Sequence, residues 1–500
     1  MPKPTAQAIR QATGLDLYDA SVTDAAVGVT LFLARRGGEK FFGHIPPADG
    51  ALCQAGCNKR NEPVGDIDGR RVCLEPADAA AAGKLRKLLP WTRPKCLHLA
   101  TSAGLGDRLG LATPGHVRAV RGSGLACVLA QQSIREMTRT DRNPQQVMDD
   151  AAWGVFQEGF TDGFGADADH LQKPEDIDAT VAAGFTMFTI DPGAHVDNAA
   201  DADDAHALAD KVGRLPMADL DTRAADLTSR YVGKRLDLDG ATIAFDEITL
   251  LRAAAKYGRA VAHAAAMHRH LQAVATGPVE LEISVDETDS PTTPAEHYFF
   301  AAELKRLGVT WVSMAPRFVG RFEKGVDYIG DLDAFAASFA EHVAVMKALG
   351  PYKMSIHSGS DKFSIYPIVA DLAGPYVHLK TAGTSYLEAL RAVAGIEPGL
   401  FRAILDFARG RYDQDKATYH VSADVAKVPA AETFKDADLA GLLDQFDARQ
   451  VLHVTYGSVL TADGGRKFRA PLLAALKADE QAHYAVLERH LGRHLAPLAK

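Results

Sequence analysis

The stretches KMSIHSG (353–359) and YVHLKTAG (376–383) decide the fold. In the first, Met354 and Ile356 alternate with Lys353, Ser355 and His357. In the second, Val377 and Leu379 alternate with His378 and Lys380. Successive side chains of a strand point to opposite faces. Each stretch therefore predicts a short strand with its apolar face against helices and its polar face turned the other way, ending in a Gly- and Ser-containing turn.

The pattern repeats outward along the chain. LEISVDE (281–287) turns Leu281, Ile283 and Val285 one way and Glu282, Ser284 and Asp286 the other. Further strands are predicted in CLHLATS (96–102), ACVLAQQ (126–132), GFGADADH (163–170), FTMFTID (185–191) and TWVSMAP (310–316), with helical stretches between them. About eight strand–helix units predict an α/β fold, a (β/α)8 TIM-type barrel. A later run, QVLHVTYGSVL (450–460), is a ninth strand candidate, either the last barrel strand or part of the C-terminal region.

The chain has 500 residues, and a single core stops growing at roughly 250–300. The expected organisation is an N-terminal extension packed on the barrel (1–95), the barrel itself (96–460) with an Asp-rich helical insertion (194–251), and C-terminal helices (461–500). Apolar residues make up 47% and charged residues 24% of the chain, as in ordinary globular proteins. The net charge of −9 and the scattered Arg and Lys argue against a nucleic-acid partner. No apolar run approaches the roughly 20 residues of a membrane span. Five Cys and no signal-peptide pattern read as a reduced, cytoplasmic protein. Cys53, Cys57 and Cys73 have loose zinc-like spacing without a fourth ligand and read as small core residues. Homo-oligomerisation stays open.

Catalytic groups of such barrels sit at the C-terminal strand ends. Strand parity aims His357, His378, Glu282 and Asp286 at one axial space, and these residue types bind borderline divalent metals. In GADADHLQKPEDI (165–177), Asp169 and His170 occupy a turn, and adjacent residues tend to point apart. His170 is assigned to the metal with His357 and His378, and Asp169 to proton transfer. Glu282 has an equally weighted reading as an internal ion-pair partner of Lys353 or Lys380. His116, His263, His268 and His270 read as helix-start, surface or packing residues. The turn SIHSGSDKFSIYP (355–367) carries Ser358, Asp361 and Lys362 and resembles an anion cradle, as does TAGTS (381–385). No GxGxxG follows a strand, and neither GxxxxGK[ST] nor GxSxG is present, which excludes the usual nicotinamide, P-loop and serine-hydrolase signatures.

GFGADADHLQKPEDI (163–177), FTMFTIDPGAHVDN (185–198), SVDETDSPT (284–292), APRFVGRFEKGVDYIGD (315–331), YKMSIHSGSDKFSIYP (352–367) and HLKTAGTSYLEALR (378–391) together resemble the tagaturonate epimerase family. The resemblance runs from about Leu97 to beyond Tyr419. It implies a metal-dependent isomerase interconverting D-tagaturonate and D-fructuronate, with a divalent cation (Zn, Ni, Co or Mn) as cofactor and a sugar acid as its small-molecule partner. The inverted carbon of these keto acids neighbours neither the ketone nor the carboxylate, so retro-aldol cleavage and re-addition is the expected route, with direct acid–base proton transfer as the alternative. Asp169 and one of Glu282 or Asp286, with Glu287 as fallback, form the expected acid–base pair. Arg317, Lys362 and Lys380 are candidates for the substrate carboxylate. A metal-dependent aldolase or keto–aldose isomerase, and a non-catalytic sugar-acid binding protein, are the alternatives.

Overall fold

The computed structural model describes residues 4–26, 28–47 and 62–499. Cys53 and Cys57 lie outside the described residues. Cys73 and Cys127 are buried.

An antiparallel sheet comes first. Its strands β1 (Asp16–Asp24), β2 (Thr30–Arg36), β3 (Glu39–Ile45), β4 (Glu62–Ile67) and β5 (Arg70–Pro76) run in the order β1-β2-β3-β5-β4. The alternation in TLFLA sorts its two faces. Leu31 and Leu33 pack with Phe42 on helix Ala79–Leu88 and on Trp153 and Phe156 of helix Pro144–Gln157. Phe32 and Ala34 face the other way, onto Ile9, Ile45 and Leu74. Phe32 is paired with Gly43, where a Cβ would lie 2.1 Å from its ring. The sheet thus docks on the barrel through one outer barrel helix.

Eight parallel strands then close into a barrel: β6 (Ser102–Leu105), β7 (Ala126–Ser133), β8 (Gly165–Leu171), β9 (Met187–Ile190), β12 (Glu280–Val285), β13 (Ser313–Pro316), β14 (Lys353–Ile356) and β15 (Val377–Thr381). The chain between β9 and β12 adds a hairpin, β10 (Lys234–Leu238) with β11 (Ala241–Phe245), to its short helices. It then forms the barrel helix Glu247–Val274.

Two expectations are corrected. CLHLATS is not the first strand, which starts only at its last residue, Ser102. His98 has φ +52°, and the Glu280 carboxylate takes the backbone N–H groups of Leu97 (2.9 Å) and His98, so the chain turns there. QVLHVTYGSVL is helical, in Phe446–Val454 and Tyr456–Thr461. Its β-branched residues suggested a strand, but Val451, Leu452, Tyr456, Val459 and Leu460 share a helical spacing and bury in a second core with Leu387, Leu390 and Leu405. Packing overrides propensity here. This C-terminal layer lies against helix Thr384–Ile396, and the final helix, Glu480–Leu495, packs on helix Thr113–Val120.

Candidate active site

The barrel axis is filled by polar side chains in two tiers. In the lower tier, Lys353 Nζ donates to Ser102 Oγ (3.1 Å), and Ser102 Oγ lies 2.8 Å from His378 Nδ1. Burial holds the His378 imidazole down at a pKa of about 3, so it is neutral, and its Nε2 has no partner among the described residues. Above it, Lys380 Nζ reaches Asp167, Asp169 and Glu282, each at 2.7 Å, and donates to Thr189 Oγ1 at 2.7 Å. Burial opposes the Lys380 charge, but the three carboxylates hold its pKa well above the ordinary lysine value. Glu282 is wholly buried between Lys380, Ser313 and His357.

The upper tier opens to solvent. Ligand atoms of Asp169, His170 and His357 all lie within 4.8 Å of one another. Both neighbours, Asp169 and His170, reach the mouth because His170 has φ +52° and the β8–β9 register shifts between Ala168 and Leu171. A left-handed non-glycine residue is uncommon and often functional. His170 Nδ1 lies 3.4 Å from Asp191 Oδ2, itself held by Gln172 at 2.9 Å. His357 Nε2 meets Glu282 at 2.6 Å and its Nδ1 meets Asp286 at 3.2 Å.

Burial would lower both imidazole pKa values, yet the carboxylates outweigh it. The Asp169 charge, with Asp191, Glu287 and Asp286, raises His170 to about 10. The Asp286 charge, against Lys380 and with Glu282, raises His357 to about 9. A buried carboxylate cage that protonates two imidazoles is short of positive charge. Neutral imidazole and carboxylate at this spacing suit a divalent cation, whose charge would take the place of those protons. The residues present therefore fit a metal.

The remaining predicted residues are placed as follows. His378 sits in the lower tier, outside the Asp169–His170–His357 group. Asp286 and Glu287 line the outer cleft, as does Arg317. Ser358 accepts from Lys324 Nζ at 2.6 Å beside His357. Asp361 points away, into the C-terminal layer, held by Arg449 (2.8 Å) and His490 (2.6 Å), while its N–H donates to His494. Lys362 Nζ donates to the carbonyls of Glu323, Val326 and Ser360 at 2.5–3.1 Å. Burial pulls it to about 7, but three carbonyls match the three hydrogens of an ammonium. Neither Asp361 nor Lys362 lines the inner cavity.

The cavity above the upper tier is also lined by Arg108, Gln131, Arg135, Lys324, Gly383, Tyr419, His453 and Tyr456, and it shares Lys324, His357, Ser358 and Tyr419 with the outer cleft. Of the first eight, only Gly383, within TAGTS, was singled out from the sequence. His453 and Tyr456 come from the C-terminal helices, which no strand-end rule reaches. Gln131 carried the one usable signal, as a polar residue near the end of ACVLAQQ. It lies over Gly104, where a Cβ would approach its Oε1 to 2.3 Å, and its amide has no protein partner.

A family model for tagaturonate epimerase matches residues 18–498. A tagaturonate/fructuronate epimerase from Thermotoga maritima is 44% identical over 411 residues, covering 82% of this chain and 83% of that protein. A glycerol-bound crystal structure of the fructuronate-tagaturonate epimerase from Cohnella laeviribosi superposes with a TM-score of 0.90 at 37% identity, covering 97% of this chain and 96% of that one. Its native form gives 0.89 at 36% identity over the same shares. With an eight-stranded barrel, a titratable cluster at its mouth and this likeness along nearly its whole length, the chain is an isomerase of the epimerase kind and belongs to the tagaturonate epimerase family.

Proposed function

We propose that this enzyme interconverts D-tagaturonate and D-fructuronate, with a divalent cation held by Asp169, His170 and His357. The observation that carries the reading is this group, with Asp169 and His357 buried and His170 partly exposed, set at the barrel mouth beneath a cavity that also presents Arg108, Arg135 and Lys324. A cation bound there would supply Lewis-acid stabilisation of negative charge on substrate oxygens. The protein's own residues do the rest. The inverted carbon has no acidifying neighbour, so its configuration changes by opening and reclosing the bond to the carbon beside the ketone. Asp286 is ionised, because positive charge beside it, on His357 here or on a cation bound in its place, outweighs burial, and it faces the cleft. It accepts the proton of the hydroxyl on the inverted carbon as the bond opens. The bonding electrons pass toward the ketone, and the proton returns when the bond reforms. Glu282, enclosed by Lys380, Ser313 and His357, orients His357 instead.

Metal analysis of the purified protein, with NMR of its reaction on D-tagaturonate in deuterated water, tests this. D-Fructuronate should form with no deuterium at the inverted carbon. Deuterium at that carbon rules out the bond-opening route, and a metal-loaded protein that leaves D-tagaturonate unchanged rules out the substrate.

A further inference from the structure

Four features of the wall of this cavity have no part in the chemistry above. Lys324 Nζ has the Ser358 hydroxyl as partner and no carboxylate among the described residues. Arg108 spends Nε and Nη2 on Glu136 (2.9 and 2.7 Å) and stacks 3.6 Å above the Tyr456 ring, and its buried Nη1 has no partner among the described residues. His453 is 2% exposed with Nδ1 unpartnered. Its ring lies on Gly325 and Gly383, where added Cβ atoms would come within 3.1 and 1.9 Å. Gly383 in turn caps helix Thr384–Ile396, and no side chain closes that first turn. The Glu136 carboxylate on this wall is already matched by Arg108 and by its own capping box. What remains is one unmatched ammonium, an unpartnered guanidinium nitrogen, an unpartnered imidazole nitrogen and an open helix N-terminus. Buried polar groups left in this way want a partner, and this combination wants an anion.

We propose that Lys324, Arg108, His453 and the N-terminus of helix Thr384–Ile396 form the carboxylate subsite, and that it retains the cleaved fragment during epimerisation. The proposal rests on the function argued above. Opening the bond yields an enediolate and a three-carbon aldehyde acid, and the carboxylate stays on the aldehyde. With the carboxylate gripped, the aldehyde turns about the single bond beside it and presents its other face. Re-addition of the enediolate carbon then forms the same carbon–carbon bond with inverted configuration, and the hydroxyl regains its proton. Nothing is oxidised or reduced. Release of the grip converts the epimerase into a leaky aldolase.

The test compares Lys324→Met, which keeps length and loses charge, with Lys324→Arg, which keeps charge. In the metal-loaded enzyme, Lys324→Met should raise KM for D-tagaturonate about 10- to 100-fold, the worth of a charge-assisted hydrogen bond. It should also release aldehyde acid, detected by NMR, with metal content and melting temperature as in the wild type. Lys324→Arg should restore KM to within about fivefold. An unchanged KM in Lys324→Met, or a KM equally poor in Lys324→Arg, overturns the subsite. A wild-type enzyme that neither binds D-fructuronate by calorimetry nor epimerises it overturns the substrate assignment instead.

Discussion

At the scale of single residues, the site turns on which groups share a charge. His357 stands between Glu282 and Asp286, and Lys380 among three carboxylates. His357→Ala removes a ligand and a counter-charge together. The expected outcome is loss of bound metal, read by elemental analysis, and of epimerase activity. Metal retained at full stoichiometry would refute the ligand role. The two carboxylates beside His357 should separate by effect. Asp286→Asn is expected to lower kcat about 10²- to 10⁴-fold, the range of general acid–base catalysis, with little change in melting temperature, because the group lies in the cleft. Glu282→Gln leaves Lys380 and His357 short of a buried partner and is expected to cost on the order of 3 kcal/mol of stability, read by chemical denaturation. The inverse pattern would exchange their roles. Parity along LEISVDE and KMSIHSG was enough to bring these groups together on paper, because it depends only on the pleat. That Asp169 and His170 both turn into one cluster was not legible. It needs a left-handed backbone at His170, and nothing in the residue type announces one.

Elements show the same division. Barrel strands carry their signal locally, as alternation over a few residues, and seven of the eight stretches named from sequence fall on a barrel strand, four enclosing it and three stopping one residue short of an end. The exception, CLHLATS, fails because Glu280, far along the chain, turns its backbone. The C-terminal helices carry no local signal of their role. Their residues enter the site only through packing between distant segments, as where His453 settles on Gly325 and Gly383. The loop after β14 shows what that layer does. Ser358 and Asp361 both have positive φ, +49° and +62°. The segment is pinned from outside by Arg449, His490 and His494. Asp361→Asn weakens a buried ion pair and should destabilise the fold by about 3 kcal/mol. At roughly 2 °C or less per kcal/mol for a chain this long, the melting temperature would fall by a few degrees. Metal content should stay intact, since Asp361 belongs to the loop's support. Loss of metal without loss of stability would contradict that placement.

Across the whole molecule, buried neutral histidines set the acid limit. Burial, with the effect of the Asp107 charge too small to offset it, takes His116 down to about 4. Burial likewise takes His342, His483 and His494 to about 4, and holds His297 and His453 well below the ordinary value. These side chains hold the barrel helices and the C-terminal layer together. His297 meets His342 and the Tyr352 hydroxyl, and His116 meets Ser385. In the unfolded chain each titrates near 6.5. The folded values are lower, so the unfolded chain binds more protons below that pH. The stabilisation is complete above about pH 6.5 and is lost as pH falls through 4. Asp150 and Asp167, each raised to about 6 by burial, and Glu296, also raised by burial, work in the opposite direction, but the histidines named here outnumber them. His170 and His357, with raised values, are already protonated in both states below pH 6 and add no slope there. Scanning calorimetry should therefore show a melting temperature that drops steadily between pH 6.5 and 4, with net proton uptake on unfolding. His116→Gln, which keeps a neutral hydrogen-bonding side chain opposite Ser385, should flatten part of that slope. A melting temperature level from pH 7 to 4.5 would mean that these imidazoles take up protons in the folded state as readily as in the unfolded chain, and the burial account would fall.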